Sequence, residues 1–127
     1  MLLSQIFGAL FGMLAIIFGA FGAHALRKIL TSELQSSFET GVKYQMYHAI
    51  VLLIIGYNFE FATPLENYIV YCFVIGVFLF SFSIYGLCIS RAKGKKIAAL
   101  GPVTPIGGLF LVTGWGLWLY TFIKDFI

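Results

Sequence analysis

The stretch YIVYCFVIGVFLFSFSIYGLCI, Tyr68 to Ile89, runs for 22 residues without a charge. As a helix it would be about 33 Å long, enough to cross the roughly 30 Å hydrocarbon core of a bilayer. Its length and apolar character predict a transmembrane helix. Three more apolar runs flank it: Ile6 to Leu26, Tyr44 to Phe59, and Ile97 to Ile123. The first is long enough to cross. The second is short unless its helix begins in the loop before it. The last is long but interrupted by Pro102 and Pro105.

Composition agrees with a lipid environment. The 127-residue chain is 61% hydrophobic and 10% charged, with a mean hydropathy of +0.98. A soluble domain carries roughly 25% charged residues, so this chain cannot cover its apolar surface for water. Its length allows one domain, residues 1–127. The net charge of +3 is concentrated beside the apolar runs, which fits membrane orientation and not nucleic-acid binding. Cys72 and Cys88 fall on one helix about 24 Å apart, too far for a disulfide. They are read as small packing or lipid-facing residues.

Ala23-His24-Ala25 matches a signal-peptide cleavage pattern. No positive charge precedes the apolar run, the run exceeds a signal core, and Arg27 and Lys28 follow at once. An uncleaved anchor is expected.

The first loop carries Arg27, Lys28 and Lys43, and the third carries Arg91, Lys93, Lys95 and Lys96. With four crossings these loops share a side, and that side holds seven of the eight Lys and Arg residues. The positive-inside rule then puts both termini outside and both basic loops in the cytoplasm. In the first loop, Ser32 and Gln35 have capping-box spacing, and Leu34, Phe38, Val42 and Gln45 recur at helical spacing. A short interfacial amphipathic helix is expected there, running on into the second crossing. The predicted fold is an all-α integral membrane bundle of four transmembrane helices.

Polar residues at membrane depth need a physical reason. This topology brings His24, Gln45, His48, Ser81, Ser83, Tyr85 and Thr104 toward the cytoplasmic side, within about 5–12 Å of the boundary. The outer half of the bundle holds almost no such groups. The histidines are read as hydrogen-bonding across helices to Gln45, Tyr44 or Tyr85. The alternatives are a proton-linked or ligand-binding role, or a metal or haem site shared by His24 and His48. No carboxylate or Cys/His cluster completes a metal site, so no metal or cofactor is assigned. Gly101-Pro102-Val103-Thr104-Pro105-Ile106-Gly107-Gly108 is read as the simple start of the fourth helix, with a broken helix lining a polar cavity as the alternative. Gly8, Gly12, Ala15, Gly19 and Gly22 form a small-residue stripe for close helix approach, as do Gly107, Gly108, Gly114 and Gly116. Phe and Trp are read mostly as lipid-facing bulk and interfacial anchors. There is no G-x-S-x-G elbow, phosphate-binding loop or H-E-x-x-H, and no enzyme is expected.

Three segments together resemble domain of unknown function family 423. They are Gly19-Ala20-Phe21-Gly22-Ala23-His24-Ala25-Leu26, then Phe38-Glu39-Thr40-Gly41-Val42-Lys43-Tyr44-Gln45-Met46-Tyr47-His48-Ala49, and Gly101 to Gly108 with Gly114-Trp115. The family comprises small bacterial inner-membrane proteins with a mitochondrial relative, transmembrane protein 256. The resemblance implies a multi-pass membrane location and supplies no activity. One departure is Phe80-Ser81-Phe82-Ser83-Ile84-Tyr85, where Phe82 replaces an expected glycine and puts close backbone approach there in question. Beyond the lipid bilayer, the expected partners are a second copy or another membrane protein. The first functional expectation is a non-enzymatic packing role. The others are a small oligomeric transporter or channel and a histidine-based metal or haem site.

Overall fold

The computed structural model describes residues 2–95 and 97–127; Lys96, counted above among the loop cations, lies outside them. Four helices make the bundle: α1 (Leu2–His24), α2 (Ser32–Asn58), α3 (Pro64–Ala92) and α4 (Val103–Ile123). A short 3₁₀ turn, Ala98–Leu100, precedes α4. Three stretches, Leu2–His24, Pro64–Ala92 and Ala98–Ile123, are long and apolar enough to cross a membrane.

Local chemistry sets the helix ends. Thr31 caps α2, its hydroxyl accepting from the Leu34 amide at 3.2 Å. The cap is thus one residue before the expected Ser32, and Gln35 turns away to donate to Gly22 O at 2.9 Å. Pro64 begins α3, where a missing amide proton costs nothing, and the Thr63 amide donates to Glu66 at 3.2 Å. The end of α3 is a Schellman turn. Gly94 has φ +72°, the Lys95 amide donates to Ser90 O, and the Gly94 amide donates to Arg91 O. Pro102 and Pro105 both sit at or within the first turn of α4, so the helix starts there without a break at depth.

The interfacial helix expected in the first loop is not a separate element. Ser32–Asn58 is one continuous helix of 27 residues, about 40 Å long. Its first half is polar because Ser32, Glu33, Ser36, Ser37 and Glu39 are exposed at the basic end of the bundle.

Helices consecutive in the chain pack antiparallel. A Cβ at Gly8 would meet Leu53 and one at Gly22 would meet Phe38, which sets α1 against α2. Leu34 pairs with Cys88 and Gly41 with Ser81, which sets α2 against α3. Gly107 faces Phe80 and Gly114 faces Phe73, which sets α3 against α4. Both termini therefore lie at one end, and both basic loops at the other. The main core, with Phe11, Leu52, Ile55, Ile69 and Phe73 fully buried, fills the end nearer the termini. A smaller core around Phe38, Tyr85 and Cys88 fills the basic end.

Several aromatic residues expected to face lipid point inward instead. Phe11 and Phe73 are completely buried, and Phe38 nearly so. Phe82, at the departure from the family pattern, packs edge-on against Phe18 and Tyr85 and tilted against Phe78. Close backbone approach does occur beside it. Phe78–Phe82 is a π-helical turn within α3, and a Cβ on Gly107 would strike the Leu79 and Phe80 backbone.

Candidate functional site: buried polar ties between the helices

Gln45 is completely buried and uses both ends of its amide. Nε2 donates to Phe11 O at 2.9 Å, and Oε1 accepts from the Tyr85 hydroxyl at 2.6 Å. One side chain thus joins α1, α2 and α3. In an apolar interior each unmade bond would cost more than the made bond contributes.

Two serines on α3 make further ties. Ser81 Oγ donates to Gly41 O at 2.7 Å. Ser83 Oγ lies 2.5 Å from Leu79 O and 2.9 Å from Phe80 O, and it also lies 2.5 Å from Thr104 Oγ1. A hydroxyl has one proton. Ser83 gives its proton to the π-turn carbonyls, so Thr104 donates to Ser83, tying α4 to α3. The hydroxyl thereby adds a side-chain donor to two carbonyls of the widened turn.

His48 joins α2 to α4. Its Nε2 accepts from Trp115 Nε1 at 3.1 Å, so the ring proton is on Nδ1, which donates to Tyr44 O at 2.7 Å. Both nitrogens of this neutral ring are occupied, and no lone pair is left for a metal. Phe73 and Trp115 flank the ring at centroid distances of 5.4 and 6.1 Å.

His24 does not join this set. It is exposed at the end of α1, level with Gln35, which bonds to Gly22. His48 lies 13 residues further along α2, about 20 Å away. The two imidazoles cannot share a metal ion, and no group of three or more metal-ligating side chains occurs among the described residues. His48 is also deeper than expected. Its partner Trp115 is about 18 Å along α4 from Val103, near the middle of the bundle. The apolar run begins at Tyr44, but α2 begins at Ser32, so Gln45 and His48 are mid-helix residues.

Of the seven candidate residues, Gln45, His48, Ser81, Ser83, Tyr85 and Thr104 are tied into the interior, in separate bonded groups. Sequence reasoning missed three contributors. Ser4 is fully buried and donates to Leu52 O at 2.6 Å, and Gln5 donates to Gly56 O at 3.2 Å, so the terminal half also has polar ties. Ser4 lies four residues before Gly8, on the small-residue stripe, and that spacing was its signal. Trp115 resembles any interfacial tryptophan in sequence, and nothing marked its role.

The glycine stripe faces α2, but unevenly. A Cβ would come within 3.0 Å of neighbours at Gly8 and Gly22, whereas at Gly12 and Gly19 it would find ordinary contact at 3.8 and 3.4 Å. Gly107 packs against backbone, and Gly108 has 3.8 Å of clearance.

A sequence model of the family described as "Protein of unknown function (DUF423)" matches residues 18–108. The chain belongs to the DUF423 family. Among its relatives, the UPF0382 membrane protein of Staphylococcus haemolyticus is 40% identical over 110 residues, covering 87% of this chain and 86% of the relative. The fission yeast Schizosaccharomyces pombe has one that is 34% identical, over 87% of this chain and 93% of its own. The Bacillus subtilis relative YwdK is 32% identical, with 87% of each chain covered. No solved structure matches. This DUF423 protein is thus a helical membrane protein with apolar spans, in a family whose biochemical role is not established. The matched region contains all seven candidate residues and leaves Ser4 and Trp115 outside it.

Proposed function

We propose that this DUF423 protein crosses the cell inner membrane four times and acts without catalysis, by packing against a second copy or another membrane protein. In this reading α2 crosses as well as the three apolar stretches, both termini face outside, and both basic loops face the cytoplasm. Its length of about 40 Å, comparable with its three apolar neighbours, supports that role for α2.

The observation that carries the reading is how the buried polar groups are used. Gln45, His48, Ser81 and Tyr85 each bond to another helix. Gln35 Oε1 is the one buried side-chain oxygen or nitrogen without a partner among the described residues. Groups so paired hold a bundle together; a transporter or channel would need them facing a water-filled path. A metal or haem site would need His24 near His48.

What remains for function is the outer surface. Ile16 on α1 and Val112 on α4 are exposed, on faces not used inside the bundle. A photo-cross-linking residue placed at each position and activated in native membranes tests the proposal. A discrete cross-linked species, either dimer or a defined heteromer, is expected. Monomer alone at both positions would overturn the packing role.

A further inference from the structure

A cleft of about 320 Å³ opens at the basic end of the bundle, between α2, the end of α3 and the start of α4. Ser37 and Thr40 line it from α2, Arg91 from α3 and Thr104 from α4. Leu34, Ile84 and Leu87 provide apolar walls. We infer that this cleft binds the headgroup of an anionic phospholipid that carries free hydroxyls, of the phosphatidylglycerol class. The inference rests on the proposed reading only in placing this end of the bundle at a membrane face.

Three features select that chemistry. First, among the described residues Arg91 is the one charged side chain lining the cleft, and no carboxylate lines it. A single guanidinium matches a monoanionic phosphodiester, which it can grip through two parallel bonds. Glu39 lies instead on a separate groove, with Arg27 and Gln35.

Second, the threonine hydroxyls face the cleft as acceptors. Thr40 Oγ1 donates its proton to Ser36 O at 3.1 Å. Thr104 donates to Ser83, whose own proton goes to the π-turn carbonyls. Both oxygens keep lone pairs and have no proton to give. A phosphodiester offers no donor to such oxygens, whereas glycerol hydroxyls do. Ser37, whose hydroxyl has no such commitment, can donate to phosphate.

Third, the cleft sits where headgroups lie. Arg91 falls in the last turn of a 29-residue apolar helix, just before Lys93 and Lys95. Such basic clusters at a membrane face attract anionic lipid, and the apolar walls admit the start of the acyl chains.

The test is lipid retention by native mass spectrometry. The full-length protein is released from nanodiscs made of equal dioleoylphosphatidylglycerol and dioleoylphosphatidylcholine. One phosphatidylglycerol should be retained severalfold over phosphatidylcholine. Arg91→Gln should lower that retention about tenfold, since glutamine can keep one of the two parallel bonds but not the charge. Arg91→Lys should keep part of it, and Lys93→Gln should change it less than about twofold. Thr40→Val should weaken retention of phosphatidylglycerol but not of phosphatidic acid, which lacks the glycerol hydroxyls. Equal retention of the two nanodisc lipids, or an Arg91→Gln variant that retains lipid like the parent, would overturn the inference. Full displacement by soluble glycerol 3-phosphate would place the ligand in solution and overturn the lipid assignment. Thiol labelling of Lys95→Cys in sealed vesicles reports sidedness independently. Labelling from outside would refute the proposed orientation while leaving the lipid result standing.

Discussion

A buried amide must satisfy both its oxygen and its nitrogen, and Gln45 does so with partners on two other helices. Replacing it by leucine strands the Tyr85 hydroxyl and removes the cross-helix donor to the Phe11 carbonyl. Gln45→Leu should destabilise the bundle by about 1–3 kcal/mol, measured by unfolding in mixed detergent micelles. Tyr85→Phe should cost about 0.5–2 kcal/mol, and the double variant less than the sum, because the two changes remove one shared bond. Additive losses would mean that the bond at 2.6 Å does not form. The two histidines should separate cleanly. His24→Ala is expected to change stability by less than about 0.5 kcal/mol, since its side chain is exposed. His48→Ala removes a buried ring and the acceptor of Trp115, and should cost about 2 kcal/mol or more. From sequence alone these two residues look alike. Each follows a small or aromatic residue near a predicted helix end, and only the three-dimensional register distinguishes them.

At the scale of the element, the π turn at Phe78–Phe82 is where α3 and α4 come closest. Gly107→Ala would press a methyl group into the Leu79–Phe80 backbone, which cannot move aside as a side chain could. The expected loss is about 1–3 kcal/mol. Gly108→Ala has room and should be tolerated or slightly stabilising, since alanine favours helix. Thermal unfolding of the two variants side by side checks the pair, and equal effects would contradict the packing described. α1 and α3 were legible in sequence because unbroken apolar runs leave few alternatives to a spanning helix. The start of α2 was less so. From Ser32 to Lys43 its residues are mixed, since that half packs against α1 and α3 at the basic end, outside the apolar middle. The π turn had no signal that periodicity could carry. It arises from the fit of Gly107 against the backbone and from the second acceptor available to Ser83.

For the whole molecule, the alternating direction of the four successive helices puts Arg27, Lys28, Lys93 and Lys95 at one end and both termini at the other. In the proposed topology α2 crosses the membrane with its neighbours, although its polar first half makes it the least apolar of the four. Substituted-cysteine labelling in sealed, right-side-out vesicles tests it directly. Single cysteines would be placed at Lys28, Glu60, Lys95 and Ile127, and each compared with the parent carrying only Cys72 and Cys88. Four crossings predict that positions 60 and 127 react with an impermeant maleimide added outside, and that positions 28 and 95 react only after permeabilisation. Labelling of positions 28 and 60 from the same side would show that α2 does not cross, and would contradict the account.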